Sequence, residues 1–271
     1  MRKNPLNDLD AREWVRRTRS WFVCDGRTRD ITPDIENHPA SFPPEMLERF
    51  IGFFTRRGQI VLDPFVGCGS TLVAAHALGR RSVGLELSPR YHAATAARLA
   101  RLAAAPGEPL PALHLADARD VASLGIGPVD YCITSPPYWD MLKRSRGQAI
   151  STQKRRKARG LDTDYGADPR DLGGVASYED YLAELASIFG AVESILRPGG
   201  YLTVVLQNVR VAGGEMVPLA WDVAARLRET YLLQQETIWC QNQKRLGCWG
   251  YPSTFVSNVH HHYCLTFRKR G

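Results

Sequence analysis

No apolar run in this chain approaches the length of a membrane span, and no apolar signal segment follows the Met1-Arg2-Lys3-Asn4 start. The six cysteines (Cys24, Cys68, Cys132, Cys240, Cys248 and Cys264) include no Cys-x-x-Cys pair. Scattered in this way they read as reduced thiols, several of them buried, in a cytoplasmic protein. A metal is not expected either. His260, His261 and His262 are consecutive, neighbours on a strand point to opposite faces, and no second ligand cluster is evident. Two nucleotide-loop signatures are also missing. A dinucleotide site wants a third glycine near Leu72 and a P-loop wants Gly-Lys-Ser/Thr, and neither occurs. There is no internal repeat.

What remains is ordinary in composition and regular in pattern. With 44% hydrophobic and 23% charged residues, 271 residues suffice for one large α/β domain or two small ones. Strand and helix patterns alternate. Gln59–Asp63 reads as a buried strand, followed by a glycine-rich turn and a small-residue helix over Leu72–Leu78, ended by Gly79. Ser82–Glu86 is the next strand, and Ser88-Pro89 caps an Ala-rich helix reaching about Ala104. Further strands fit Ala112–Ala116, Val129–Ile133, Tyr201–Gln207, Leu232–Trp239 and Tyr263–Phe267, with helices over Tyr178–Leu196 and Val217–Thr230. Such alternation implies a mostly parallel, Rossmann-like sheet with helices on both faces. The least regular pieces are residues 1 to 37, 143 to 177 and 241 to 258.

In such a sheet, ligands bind beyond the carboxyl ends of the strands. The first strand ends in Asp63-Pro64-Phe65 and runs into Gly67-x-Gly69. Those glycines let backbone approach a ligand closely, and the helix start behind them favours a carboxylate or phosphate. Glu86, ending the next strand, can accept from both ribose hydroxyls, and Asp117, ending the third, from an adenine amino group. Each acid alone is commonly a solvated strand end. Together after a Gly-x-Gly they fit a nucleoside without a phosphate chain, such as S-adenosylmethionine.

Thr134-Ser135-Pro136-Pro137-Tyr138-Trp139 follows the apolar run Tyr131-Cys132-Ile133. Two consecutive prolines stiffen the chain and remove two donors, while their carbonyls still accept. A hydroxyl, free carbonyls and an aromatic ring within a few residues suit a planar group bearing an NH2. The plainer reading of this stretch alone is a proline-rich turn capping a strand. The net charge of +7 concentrates nearby. Lys143, Arg144, Arg146, Lys154, Arg155, Arg156, Lys157 and Arg159 lie close together with no acid among them. Charge runs are usually solvated faces. Placed directly after the Pro-Pro turn, this one is read as a nucleic-acid contact. A smaller basic excess marks residues 1 to 37.

With these motifs in place, the chain resembles the SPPY-type DNA amino-methyltransferases, the DNA methylase N-4/N-6 family. Asp63-Pro64-Phe65-Val66-Gly67-Cys68-Gly69-Ser70-Thr71 looks like their cofactor loop and Thr134–Tyr138 like their catalytic loop. His38-Pro39-Ala40-Ser41-Phe42-Pro43 resembles the segment closing the methionine end of the pocket. Gly247–Ser253, with Trp249, and Tyr263–Lys269 resemble the late loop and last strand near the target base. The similarity spans about residues 38 to 271 and implies a seven-stranded methyltransferase sheet whose last strand is antiparallel. Residues 1 to 37 are then a basic arm, and residues 141 to 177 a basic insertion. Two departures stand out. Many relatives carry the catalytic motif first, whereas here the cofactor motif leads, and no separate target-recognition domain is evident.

The resemblance implies an S-adenosylmethionine cofactor held by His38, Phe42, Asp63, Phe65, Gly67, Gly69, Ser70, Thr71, Glu86 and Asp117. Its implied catalytic residues are Ser135, Pro136, Pro137 and Tyr138. Ser135 and the Pro136 carbonyl would accept the N–H protons of a conjugated amine and favour a nucleophilic nitrogen. Tyr138 would stack on a base flipped from double-stranded DNA. Serine at position 135 favours cytosine N4, with adenine N6 as runner-up. A catalytically inactive nucleic-acid-binding module of a defence system is the reading from another class. A cognate restriction endonuclease is a candidate partner, and a nucleoid-associated location in a prokaryotic cytoplasm follows. The oligomeric state stays open.

Overall fold

A computed structural model describes residues 4–25, 42–102, 110–139, 168–211, 215–244, 246–248 and 250–271. His38, the basic run from Lys143 to Arg159, and Trp249 lie outside the described residues. In chain order the main elements begin with α1 (Ala11–Arg17), β1 (Trp21–Val23), α2 (Pro44–Phe54), β2 (Ile60–Asp63) and α3 (Ser70–Ala77). There follow β3 (Arg81–Glu86), α4 (Pro89–Leu99), β4 (Ala112–Leu115), β5 (Val129–Thr134), α5 (Tyr178–Ile195) and β6 (Leu196–Leu206). The small hairpin of β7 (Val209–Arg210) and β8 (Met216–Val217) precedes α6 (Leu219–Leu227), β9 (Tyr231–Cys240) and β10 (His261–Lys269).

One eight-stranded sheet runs in the order β1-β9-β10-β6-β5-β2-β3-β4. All its neighbouring pairs are parallel except those of β10, which runs antiparallel to both β6 and β9. The seven strands expected of a methyltransferase sheet are therefore present, with the last one reversed, and β1 adds an eighth at the edge. Period-two alternation sorts the strand residues between two helical layers. Leu62, Cys132, Val204 and Leu265 pack with α5 and α6 on one face, while Val61, Tyr131, Ile133, Val205 and Cys264 pack with α2 on the other. Ser88 caps α4 by accepting from the Tyr91 N–H, and Pro89 opens its first turn. The Arg197-Pro198-Gly199-Gly200 stretch, left between helix and strand by the sequence pattern, lies within β6. Leu196 already pairs with Val129, and the register shifts before Tyr131 meets Tyr201.

Part of the segment read as an arm is built into the fold. Asp10 and Glu13 form a reciprocal capping box that starts α1, and β1 pairs in parallel with β9 from Trp21↔Ile238 to Val23↔Cys240. Asn7 anchors the segment. It is 1% exposed, its side-chain amide donates to the Phe53 carbonyl at 2.6 Å, and its carbonyl oxygen accepts from Asn4 and the Leu9 N–H. Trp14 packs on Phe53 with ring centroids 4.8 Å apart. Asn7→Ala removes a buried, hydrogen-bonded amide, so it should lower unfolding free energy by about 1–3 kcal/mol. Urea denaturation followed by circular dichroism checks this, and an unchanged midpoint would mean that the segment is not anchored there.

Candidate active site

Asp63 joins the two motifs. It ends β2 and is 4% exposed. Its Oδ1 accepts from the Thr134 hydroxyl at 2.5 Å and the Phe65 N–H at 3.1 Å, and its Oδ2 accepts from the Thr71 hydroxyl at 2.5 Å. One carboxylate thus holds the end of β2, the start of α3 and the end of β5. Both oxygens are engaged within the chain, as is the Thr71 hydroxyl. Burial raises the Asp63 carboxyl to about 6, against the opposing pull of its three donors.

The glycine loop is shaped by close contacts. Gly67 and Gly69 sit at φ 52° and 81°, where a side chain is strained. A Cβ on Gly69 would stand 2.7 Å from the Thr95 methyl. Thr95 of α4 donates its hydroxyl to the Gly67 carbonyl at 2.7 Å, and buried Arg98 donates to the Cys68 carbonyl at 2.8 Å. Ser70 and Thr71 are buried beneath the loop, and Phe65 sets its ring edge against Phe189, centroids 6.4 Å apart. Glu86, ending β3, accepts from the Gly67 N–H at 3.0 Å and the Ser88 N–H at 2.8 Å. Burial pushes its carboxyl up to about 7 despite those donors, with Asp63 and Asp171 nearby adding to the rise. Asp117 follows β4 and is 8% exposed. Arg119 occupies it through its backbone N–H at 3.0 Å and its guanidinium at 2.9 Å, and reaches on to Glu184 at 2.8 Å.

The Pro-Pro turn leaves β5, whose neighbour is β2. Ser135 and Pro137 are half-buried and Pro136 is buried. The Ser135 hydroxyl donates to the Tyr138 oxygen at 3.3 Å, and the Tyr138 hydroxyl donates to the Val205 carbonyl at 3.4 Å. The Ser135 proton therefore points into the protein and its lone pairs are left to accept. Tyr138 itself is only 7% exposed and packs in the α5–α6 core. Tyr181 donates to the Pro137 carbonyl at 2.8 Å, and the Trp139 indole donates to the Val175 carbonyl at 3.0 Å. No hydrogen bond to the Pro136 carbonyl occurs among the described residues.

Phe42 stands apart from this group, edge-on to Trp239 and His262 with centroids 5.4 and 6.2 Å away. His262 stacks on Trp239 at 4.8 Å, and burial lowers its pKa to about 3, so it is a neutral core histidine. The described residues hold no cluster of His, Cys, Asp or Glu that could bind a metal. Their cysteines are all free thiols, and no described helix is long and apolar enough to cross a membrane. Sequence reasoning passed over Thr95, Arg98, Thr134 and Tyr181 as shaping residues. Only the strand-end position of Thr134 could have pointed to its role.

Comparison with known proteins adds a likeness over part of the chain. A model described as DNA methylase matches residues 4–97, from the N-terminal segment through the glycine loop to α4. Over these residues, about a third of its length, the chain is similar to the DNA methylase family. Among curated relatives, Type II methyltransferase M2.DpnII of Streptococcus pneumoniae is 36% identical over 95 residues, 31% of this chain and 35% of its own length. DNA adenine methyltransferase YhdJ of Escherichia coli (strain K12) is 40% identical over 65 residues, 24% of this chain and 22% of its own length. The chain thus aligns with about a third or less of these two relatives. Among solved structures, TrmN from Thermus thermophilus has a TM-score of 0.52 at 17% identity, covering 88% of this chain and 52% of that one. That likeness concerns the fold.

Two measurements follow from the geometry. Gly69→Ala should destabilise the protein by about 1–3 kcal/mol from its left-handed backbone alone, read as a lower urea midpoint. Asp63 and Glu86 are raised from 3.8 and 4.5 to about 6 and about 7, so the folded state holds their protons more tightly than the unfolded state does. Their contribution is fully present below the unfolded values and is lost as pH rises through the folded ones. The urea midpoint of the ligand-free protein should therefore fall between about pH 4.5 and 7 through these two groups. Glu86→Gln should flatten that fall, and an unaltered profile would show that Glu86 is solvated.

Proposed function

We propose that this protein transfers the methyl group of S-adenosylmethionine to an exocyclic amine of a DNA base flipped out of the duplex. The observation that carries the reading is the Asp63 clamp. It holds the glycine loop and the Ser135-Pro136 turn at the ends of two hydrogen-bonded strands. A donor bound at the first would face an acceptor bound at the second, separated by about one strand spacing of ~4.8 Å.

The residues present fit the cofactor. Gly67 and Gly69 lead the chain into α3 without a Cβ, and the helix start behind them suits a carboxylate. Glu86 keeps unused lone pairs beyond its two backbone donors for ribose hydroxyls, and the outer side of Asp117 is the candidate for the adenine amine. Asp63 and Thr71 act indirectly, by holding the loop. When bound, the cofactor supplies an electrophilic sulfonium methyl. The chain supplies placement and polarity. Ser135 Oγ, oriented by Tyr138, and the Pro136 carbonyl accept the two amine N–H groups and localise the nitrogen lone pair. The amine proton leaves toward these acceptors, and positioning of donor and nitrogen provides much of the rate. Tyr138 is proposed to floor the base pocket as well as to orient Ser135. The basic run from Lys143 to Arg159 and Trp249 are proposed to contact the DNA.

Ser135, in a position where an aspartate or asparagine is the adenine-type choice, favours cytosine N4. The similarity to an adenine methyltransferase, YhdJ, favours adenine N6 as the second reading. The likeness to a Type II enzyme makes a restriction endonuclease the partner to look for. Mass spectrometry of nucleosides from DNA incubated with the protein and S-adenosylmethionine decides between the bases. N4-methylcytosine is expected, N6-methyladenine would install the second reading, and neither product would overturn both. Ser135→Ala should slow transfer at least ~100-fold with cofactor affinity unchanged. Tyr138→Phe keeps the ring and frees the serine hydroxyl, so an intermediate loss is expected.

A further inference from the structure

A second cationic site lies at the opposite edge of the sheet from β4. Arg16, Arg19, Trp21, Phe22, Val23 and Arg49 line one groove, and no acidic side chain lines it among the described residues. Arg49 reaches across from α2, with its guanidinium 4.8 Å from the Phe22 ring centroid and donating to the Arg17 carbonyl at 3.0 Å. Arg17 returns a bond to the Arg49 carbonyl at 3.0 Å, so the α1–α2 junction is fixed by two guanidinium–backbone contacts. The side chains of Arg16 and Arg19 have no hydrogen bond or ion pair among the described residues. The indole of Trp21 is 56% exposed beside them. Burial and the neighbouring charges of Arg17 and Arg19 lower the Arg49 pKa, as expected where positive charge is left uncompensated.

We infer that this groove is a phosphate-backbone contact for duplex DNA, separate from the site at the β2 and β5 ends. Free guanidinium forks beside an exposed indole are suited to phosphate oxygens and nucleotide surfaces. A second copy of this chain is disfavoured as occupant, because a self-complementary contact would bring like charges together. The groove lies four strand positions from β5, roughly 19 Å at ~4.8 Å per strand. At ~3.4 Å per base pair it would meet the backbone about five to six base pairs from a base held at Ser135. That spacing rests on the proposed function; the groove's affinity for DNA does not.

The test uses the full chain and a labelled random-sequence duplex of about 30 base pairs, followed by fluorescence anisotropy across sodium chloride concentrations. Removing two phosphate contacts with Arg16→Gln/Arg19→Gln should reduce the slope of log affinity against log salt by about 1.8. A matched control, Arg81→Gln/Arg101→Gln, removes the same charge from exposed positions outside the groove. It should leave the slope nearly unchanged, and Trp21→Ala should weaken binding without changing it. Circular dichroism must show all variants folded. Equal slopes in the groove variant and wild type, equal slope losses in groove and control variants, or no DNA binding by wild type would each overturn the inference. So would unchanged DNA binding with new self-association of the groove variant, which would make Arg16 and Arg19 guards of the β1 edge. A reduced slope with no methylated product in the nucleoside assay would sustain the groove and defeat the proposed activity.

Discussion

A single buried carboxylate organises the carboxyl edge of this sheet. Asp63 has three donors on two oxygens, and each donor belongs to a different stretch: the β2–α3 turn, the first turn of α3, and the end of β5. Hydroxyl and backbone donors lessen the cost of burying the charge, which still shows as a raised proton affinity. That attachment adds a direct link between the glycine loop and the Pro-Pro turn, which leave neighbouring strands. With it, their separation is tied to the spacing of adjacent strands.

Around this anchor, side chains control backbone. Thr95 and Arg98 donate to the carbonyls of Gly67 and Cys68, and Glu86 accepts the Gly67 N–H. The loop is held from α4 on one side and from β3 on the other. On the β5 side, Tyr138 takes the Ser135 proton direction and Tyr181 holds the Pro137 carbonyl. In both loops the hydrogen bonds run from side chains to loop groups, the arrangement expected when loop geometry itself carries the function.

The N-terminal residues have two physical roles in one short stretch. Asn7, Trp14 and Arg17 fasten the segment to α2, and β1 continues the sheet beyond β9. An edge strand of only three residues flanked by arginines offers little for another strand to pair with. The same arginines leave a patch of positive charge without acids among the described residues that line it, remote from the Asp63 anchor. The match to the DNA methylase family model begins at residue 4 and so includes this segment.

Much of the layout could be read from the sequence because it rests on local pattern. Apolar alternation, the Ser88-Pro89 cap, the Gly67-x-Gly69 turn and the rigidity of Pro136-Pro137 depend on residues within a few positions of one another. The reversal of β10 came from family resemblance, and the structure bears it out. Pairings across long distances were not readable. The Asp63–Thr134 bond joins residues 71 apart, and neither residue type announces its partner. Asp117 read as a free acid because nothing local says that Arg119 will turn back onto it while bridging to Glu184 on α5. Tyr138 likewise read as an open stacking surface, whereas packing against the core set its exposure. Sequence alone determined which chemical groups stand at the strand ends, because strand register is written in side-chain alternation. Only the tertiary structure decided which of those groups are already engaged, because burial and partner geometry arise when distant segments meet.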